Sequence, residues 1–207
     1  MLEIIIALII GYILGSIPTA YLITRWCRGV DIRSVDIGNV GGGSVLRQVG
    51  IWQGAMVLFI DMAKGAAAVL IAQALGLSYL WVLAVGLAAI LGHVFPVFIG
   101  FKGGQGVATI IGIYFVLAPL AMGTVFVLLG IPLLILRRRF IHLLFLVICV
   151  AAPVLLFFTW LYSWLLSEAN IELVLYTVLL MVLLVLKNAH RLKEFGGAPP
   201  PDKQKKR

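Results

Sequence analysis

The sequence predicts an all-α polytopic membrane protein, and three observations carry that prediction. Of 207 residues, 63% are hydrophobic and 12% charged, with a mean hydropathy of +1.15, which is more apolar surface than a soluble core of this size hides. The apolar runs 2–24, 52–76, 79–99, 107–136, 140–166 and 171–186 mostly reach the roughly 20 residues that a spanning helix needs. Fifteen of the sixteen basic residues, finally, fall between or after the runs, and Lys64 alone is left inside one. The first run holds Glu3, has no basic leader and is followed by arginines, so it reads as a retained span and not a cleaved signal.

Lysine and arginine collect on the cytoplasmic side of a bilayer and thereby orient the chain. Arg25, Arg28, Arg33 and Arg47 separate the first two runs, Lys102 follows the third, Arg137 to Arg139 come next, and a last group runs from Lys187 to Arg207. Placing all of these inside puts Glu3, the Gly-Leu-Ser turn at 76–78, Glu168 and Glu172 outside. Both ends of 107–136 are then cytoplasmic, although thirty residues cannot cross twice, so the run should fold as two short helices bent near Pro119 to Gly123. The expected topology is five full crossings plus this short-helix pair, seven helical segments in all, with the N-terminus outside and the C-terminus cytoplasmic. One long tilted helix over 107–136, with Arg137 to Arg139 outside, is the alternative. Residues 1–195 read as a single membrane domain, and 196–207, Pro-rich and then basic, as a cytoplasmic tail lying on anionic lipid and not on nucleic acid.

Cys27 and Cys149 are isolated, which favours neither a disulfide framework nor a metal motif. The chemistry gathers in three segments that the topology places on one face: "RGVDIRSVDIGNVGGGSVLRQVG", the "FKGGQG" that opens the fourth run, and "LKNAHRLKEF". In the first, Gly38, Gly41, Gly42 and Gly43 offer permissive backbone whose amides can converge on an anion, with the Arg47 guanidinium close by. In the second, Lys102 adds a charge, and Gly103, Gly104 and Gly106 precede a helix starting near Val107, whose free amides attract phosphate. Neither cluster has the lysine-hydroxyl pair or the preceding strand of a nucleotide loop. Taken singly, each also fits an ordinary interhelical turn.

Asp61 and Lys64, three residues apart in "DMAKG", share a helix face, with Asp61 about 14 Å from the near end of their span. Such groups pair or line a cavity, and packing and function are both open to them. His93 stands beside the glycine turn, as packing residue or as base. Pro18, in "GSIPTAYL", should kink the first span and free carbonyls at its end.

These segments, in order, resemble the bacterial acyl-phosphate:glycerol-3-phosphate acyltransferase family: "GSIPTAYL", "GN.G...VLR", "D..KG" and "GH.FPVF..FKGG.GVAT", over nearly the whole chain. The resemblance implies an integral enzyme of the bacterial cytoplasmic membrane, active face inward. It would use no cofactor or metal, and would move a fatty acyl group from acyl phosphate to glycerol 3-phosphate, giving lysophosphatidic acid for phospholipid synthesis. It implies roles on the reacting groups for Asn39, Arg47 and Asn188. Substrate binding would fall to Gly38, Gly41, Gly42, Gly43, Ser44, His93, Lys102, Gly103, Gly104, Gln105, Gly106, Thr109 and Arg191, with Asp61 and Lys64 as a supporting pair.

The chain departs from the pattern where a serine becomes Ile37, where alanine, threonine and asparagine become Gly42, Gly43 and Ser44, where a lysine becomes Gln105, and where a histidine becomes Val185. On those departures a second reading rests, in which the scaffold persists as a lipid-binding or membrane interaction protein without transfer. An anion carrier is a third, weakened by the lack of a visible inverted repeat.

Overall fold

The computed structural model describes residues 1–35, 40–125 and 171–195. Gly38, Asn39, Ile37, the runs beyond residue 125 up to 170, and the tail lie outside the described residues. The described elements are helical, in the order α1 (Leu2–Ser16), α2 (Thr19–Arg28), α3 (Ile32–Val35), α4 (Gly42–Gln48), α5 (Ile51–Ala74), α6 (Tyr79–Val94), a 3-10 turn (Val97–Ile99), α7 (Val107–Leu117), α8 (Pro119–Val125) and α9 (Ile171–Phe195). Three stretches among them are long and apolar enough to cross a bilayer: Leu2–Arg28, Ile51–Ala74 and Tyr79–Ile99.

Lipid offers helices no hydrophobic reason to associate, so close backbone contact between small residues holds such bundles together. Here α1 lies against α6 through Gly15 and Gly92. A Cβ at Gly15 would overlap the Ala89 carbonyl, and one at Gly92 would overlap that of Tyr12. The same device joins α5 to α7: Gly65 abuts the Thr109 carbonyl, and Gly112 that of Met62. Around these contacts a buried cluster includes Ala68, Val69, Val85, Ile90, Ile113, Tyr114, Tyr176 and Leu180. Bulky residues on the opposite faces of the same helices, such as Ile9, Phe59 and Leu175, stay exposed, as a lipid-facing surface does.

Two breaks match the proline signals. The first span interrupts at Ile17 and Pro18, where α1 stops and α2 begins. Helix α7 ends at Leu117, Ala118 leaves helical geometry (φ −144°, ψ 63°), and α8 restarts at Pro119. The return of the short-helix pair lies outside the described residues.

Candidate functional site

The glycine turn after α6 has a physical cause that sequence reasoning did not reach. A helix C-terminus leaves four carbonyls without intrahelical partners, and the returning chain takes up those at the end of α6. The amide of Gly104 donates to the His93 carbonyl and that of Gly103 to the Val94 carbonyl, both at 3.2 Å. The Tyr12 hydroxyl, from α1, donates to the Phe95 carbonyl at 2.8 Å. Side chains do not fit there: a Cβ at Gly103 would overlap the His93 carbonyl, and one at Gly104 would overlap His93 Nε2 and stand 2.7 Å from the Val40 carbonyl. The amides of Gly103 and Gly104 are therefore spent on protein and are not the anion donors the sequence suggests. Free amides begin at the start of α7, because the first backbone bond there runs from Ile110 to the Gly106 carbonyl. Gly106 itself sits at φ 84°, a left-handed conformation that favours glycine.

Two more residues expected at the substrate are packing residues. Thr109 is fully buried and faces Gly65 at the α5 and α7 contact. Gly42 presses α4 onto α5, where a Cβ would come within 2.6 Å of Leu58 Cγ. Gly41 precedes α4, its carbonyl accepting the Ser44 and Val45 amides. Gly43 faces open space, with Arg47 Nη1 3.8 Å from its Cβ position. Arg47 also lies 3.4 Å from the buried Ser44 hydroxyl.

Below the turn, Asp61, Lys64 and His93 form one buried group. Lys64 Nζ forms an ion pair with Asp61 Oδ1 at 2.9 Å and donates to the Ile17 carbonyl at 3.1 Å, the latter an acceptor left at the break before Pro18. His93 Nδ1 stands 3.7 Å from the same carboxylate oxygen, and the far side of its ring lies under Gly104. Four parts of the chain thus gather around one buried ion pair: the break between α1 and α2, α5, α6 and the glycine turn.

Beside the turn opens a cavity of about 810 Å³. Arg33, Lys102, Gln105 and Lys187 form its polar side, here termed the mouth; Ile90, Ile110, Leu180 and Leu183 belong to its apolar lining. All three polar segments supply a residue to it, but two of the three cations, Arg33 and Lys187, had counted in the sequence only toward topology. The signal was present, since each lies inside a segment already singled out. Arg47 and Ser44, on α4, are not among the lining residues. Asn188 and Arg191 follow Lys187 on α9, and their side chains lie outside the described residues.

The mouth is braced. Arg33 forms an ion pair with Asp31 at 2.6 Å, donates to the Ile99 carbonyl at 3.1 Å and lies 5.2 Å from the centre of the Tyr21 ring. The hydrogen bond from Arg33 holds the Asp31 carboxyl below the usual carboxylate range. Lys187 stacks its ammonium 5.1 Å from the centre of the Phe95 ring. Phe101, also at the mouth, has φ 61°, left-handed geometry that is costly for an aromatic residue. The cavity is thus lined by cations together with hydrocarbon side chains.

The chain is similar to glycerol-3-phosphate acyltransferase 5 of Dehalococcoides mccartyi, 46% identical over 124 residues, which are 58% of this chain and 53% of the relative. It is 48% identical to the glycerol-3-phosphate acyltransferase of Geobacter sulfurreducens over 59% of this chain and 62% of that one. A longer alignment, 42% identical, covers 86% of this chain and 83% of the Rubrobacter xylanophilus protein of the same name. The first two matches thus span little more than half of the relatives' own length. In three dimensions the chain resembles the crystal structure of PlsY (YgiH), an integral membrane glycerol 3-phosphate acyltransferase, in its glycerol 3-phosphate form. The TM-score is 0.76 at 31% identity, over 93% of this chain and 91% of that one. The lysophosphatidic acid form of the same enzyme gives a TM-score of 0.72 at 27% identity. A family model described as glycerol-3-phosphate acyltransferase matches residues 5–195, from the first helix to the end of the last described one, and the chain belongs to that family.

Proposed function

We propose that this protein transfers a fatty acyl group from acyl phosphate to the 1-hydroxyl of glycerol 3-phosphate, releasing phosphate and lysophosphatidic acid. The observation that carries the reading is the cavity, whose cationic mouth and apolar interior match a molecule with a phosphate at one end and a hydrocarbon chain at the other. Family membership and the likeness to structures of glycerol 3-phosphate and lysophosphatidic acid forms support it.

In the reaction the acceptor oxygen bonds to the acyl carbon and the bond from that carbon to the phosphate oxygen breaks. The leaving phosphate takes the electron pair and the hydroxyl proton. Acyl phosphate is already activated, so much of the rate comes from holding the two reactants in line. Lys102, Arg33 and Lys187 hold phosphate groups, assisted by the first amides of α7. Gln105 donates a neutral hydrogen bond where relatives of the resembling pattern carry lysine. Asn39, Arg47 and Asn188 take the roles on the reacting groups that the family resemblance implies, Arg47 from α4 outside the cavity's lining; His93, Asp61 and Lys64 fix the turn from beneath.

The same reading places residues 1–195 in the cytoplasmic membrane of a bacterium as one domain of five crossings and a short-helix pair. The mouth faces the cytoplasm and 196–207 form a surface tail, as the grouping of basic residues supports. Purified protein given palmitoyl phosphate should release phosphate and form lysophosphatidic acid only when glycerol 3-phosphate is added. Tight lipid binding with no acceptor-dependent product would instead identify a non-catalytic lipid-binding member.

A further inference from the structure

A layer of three residues stands one helical turn beyond the cavity's lining on three helices. Ile90, Ile110 and Leu180 are the lining residues farthest from the mouth on α6, α7 and α9. One turn further along each helix stand Gly86, Ile113 and Tyr176. These meet: the Cβ position of Gly86 lies 2.9 Å from the Tyr176 hydroxyl and 3.5 Å from Ile113 Cδ1. Glycine at 86 is what lets the tyrosine reach across to α6. Tyr176 is 6% exposed, and its hydroxyl has no hydrogen-bond partner among the described residues.

The neighbouring residue holds this layer still. The Tyr114 hydroxyl bonds to Thr177 Oγ1, which donates on to the Leu173 carbonyl at 2.7 Å, pinning α7 to α9 at this level. From Lys187 at the mouth to Tyr176 at the floor, α9 rises roughly 16 Å at about 1.5 Å per residue. A hydrocarbon chain that entered from the charged side and ran along α9 would meet the buried Tyr176 ring at that depth.

We propose that Tyr176, seated on Gly86, is the floor of the cavity and sets the longest acyl chain the protein accepts. This rests on the acyl-transfer reading and adds a specificity-determining residue to it. Full-length wild type and variants are assayed with lauroyl, myristoyl, palmitoyl, stearoyl and arachidoyl phosphate at saturating glycerol 3-phosphate. Tyr176→Ala should raise kcat/KM for the longest donors about tenfold relative to the wild-type optimum, with the KM for glycerol 3-phosphate unchanged. Tyr176→Phe, which keeps the ring, should retain the wild-type profile, and Ile110→Phe, which fills the channel, should shift it toward shorter donors.

If Tyr176→Ala does not fold, Tyr176→Leu is read the same way. Unchanged relative kcat/KM across the donors, in the shortened floor variant and in Ile110→Phe alike, overturns the proposal. If wild type transfers from none of the donors, the transfer reading fails by itself. The floor is then tested by thermal stabilisation with lysophosphatidic acids of graded chain length, where a shift of the best length upward in Tyr176→Ala supports it and no shift refutes it.

Discussion

Three cations around one opening are not equivalent, because they differ in what already holds them. Arg33 is bound by Asp31, by the Ile99 carbonyl and by the Tyr21 ring, so it offers a fixed charge. Lys102 is exposed and free to follow a phosphate. Lys102→Met should therefore raise the KM for a phosphorylated substrate by roughly tenfold, the size of one charge-assisted hydrogen bond, as initial rates across substrate concentration would show. Gln105→Lys should act in the opposite direction by a similar factor, since it adds a charge at the same mouth.

The Asp31 bond gives the mouth a pH dependence of known sign. Asp31 is depressed in the folded protein, so its stabilisation is complete above the ordinary carboxylate pKa of about 3.9 and is lost as pH falls through the lower, folded value. Asp31→Asn should remove this stabilisation at neutral pH and flatten the acid limb of a thermal unfolding series.

At the scale of elements, the packing of each glycine decides what an added methyl group does. Gly104→Ala places a Cβ on His93 and should cost about 1–3 kcal/mol through overpacking. Gly43→Ala, in α4 and facing open space, should be neutral or stabilise by up to about 1 kcal/mol from helix propensity. Melting temperatures of the two variants in the same detergent separate a packing role from a general need for flexible backbone.

The ion pair beneath the turn is the more fragile joint. Lys64→Met leaves a buried Asp61 carboxylate with its ammonium partner gone and should destabilise the fold by about 3–5 kcal/mol. The double variant Asp61→Asn, Lys64→Met should recover part of that loss, which a denaturation series of all three proteins measures. A full recovery would show that the Ile17 carbonyl gains little from its bond to Lys64.

For the molecule as a whole, the arrangement depends on which side of the bilayer each polar segment occupies. Single cysteines placed at Arg28, Lys102 and Lys193 in a background lacking Cys27 and Cys149 should react with an impermeant maleimide only when the inner face is accessible. A cysteine at Ser78 should react only from the outer face. Labelling of Lys102 and Ser78 positions from the same side would contradict the proposed topology.

Much of this protein was determined by its sequence alone, because a bilayer turns hydropathy into helices and charge into orientation. The apolar runs at 2–24, 52–76 and 79–99, the stops at Pro18 and Pro119, the helix start at Val107 and the three polar segments that line the cavity were all legible there. Only the tertiary structure decided what each residue of those segments does. Gly103 and Gly104 looked like anion donors until the carbonyls of His93 and Val94 were seen to occupy their amides. Lys187 looked like a topological charge until α9 set it over Phe95, in the lining of the same cavity as Lys102. The reason is physical: a residue's hydropathy acts where it stands in the chain, whereas the partner that consumes or spares its hydrogen bonds arrives from another helix.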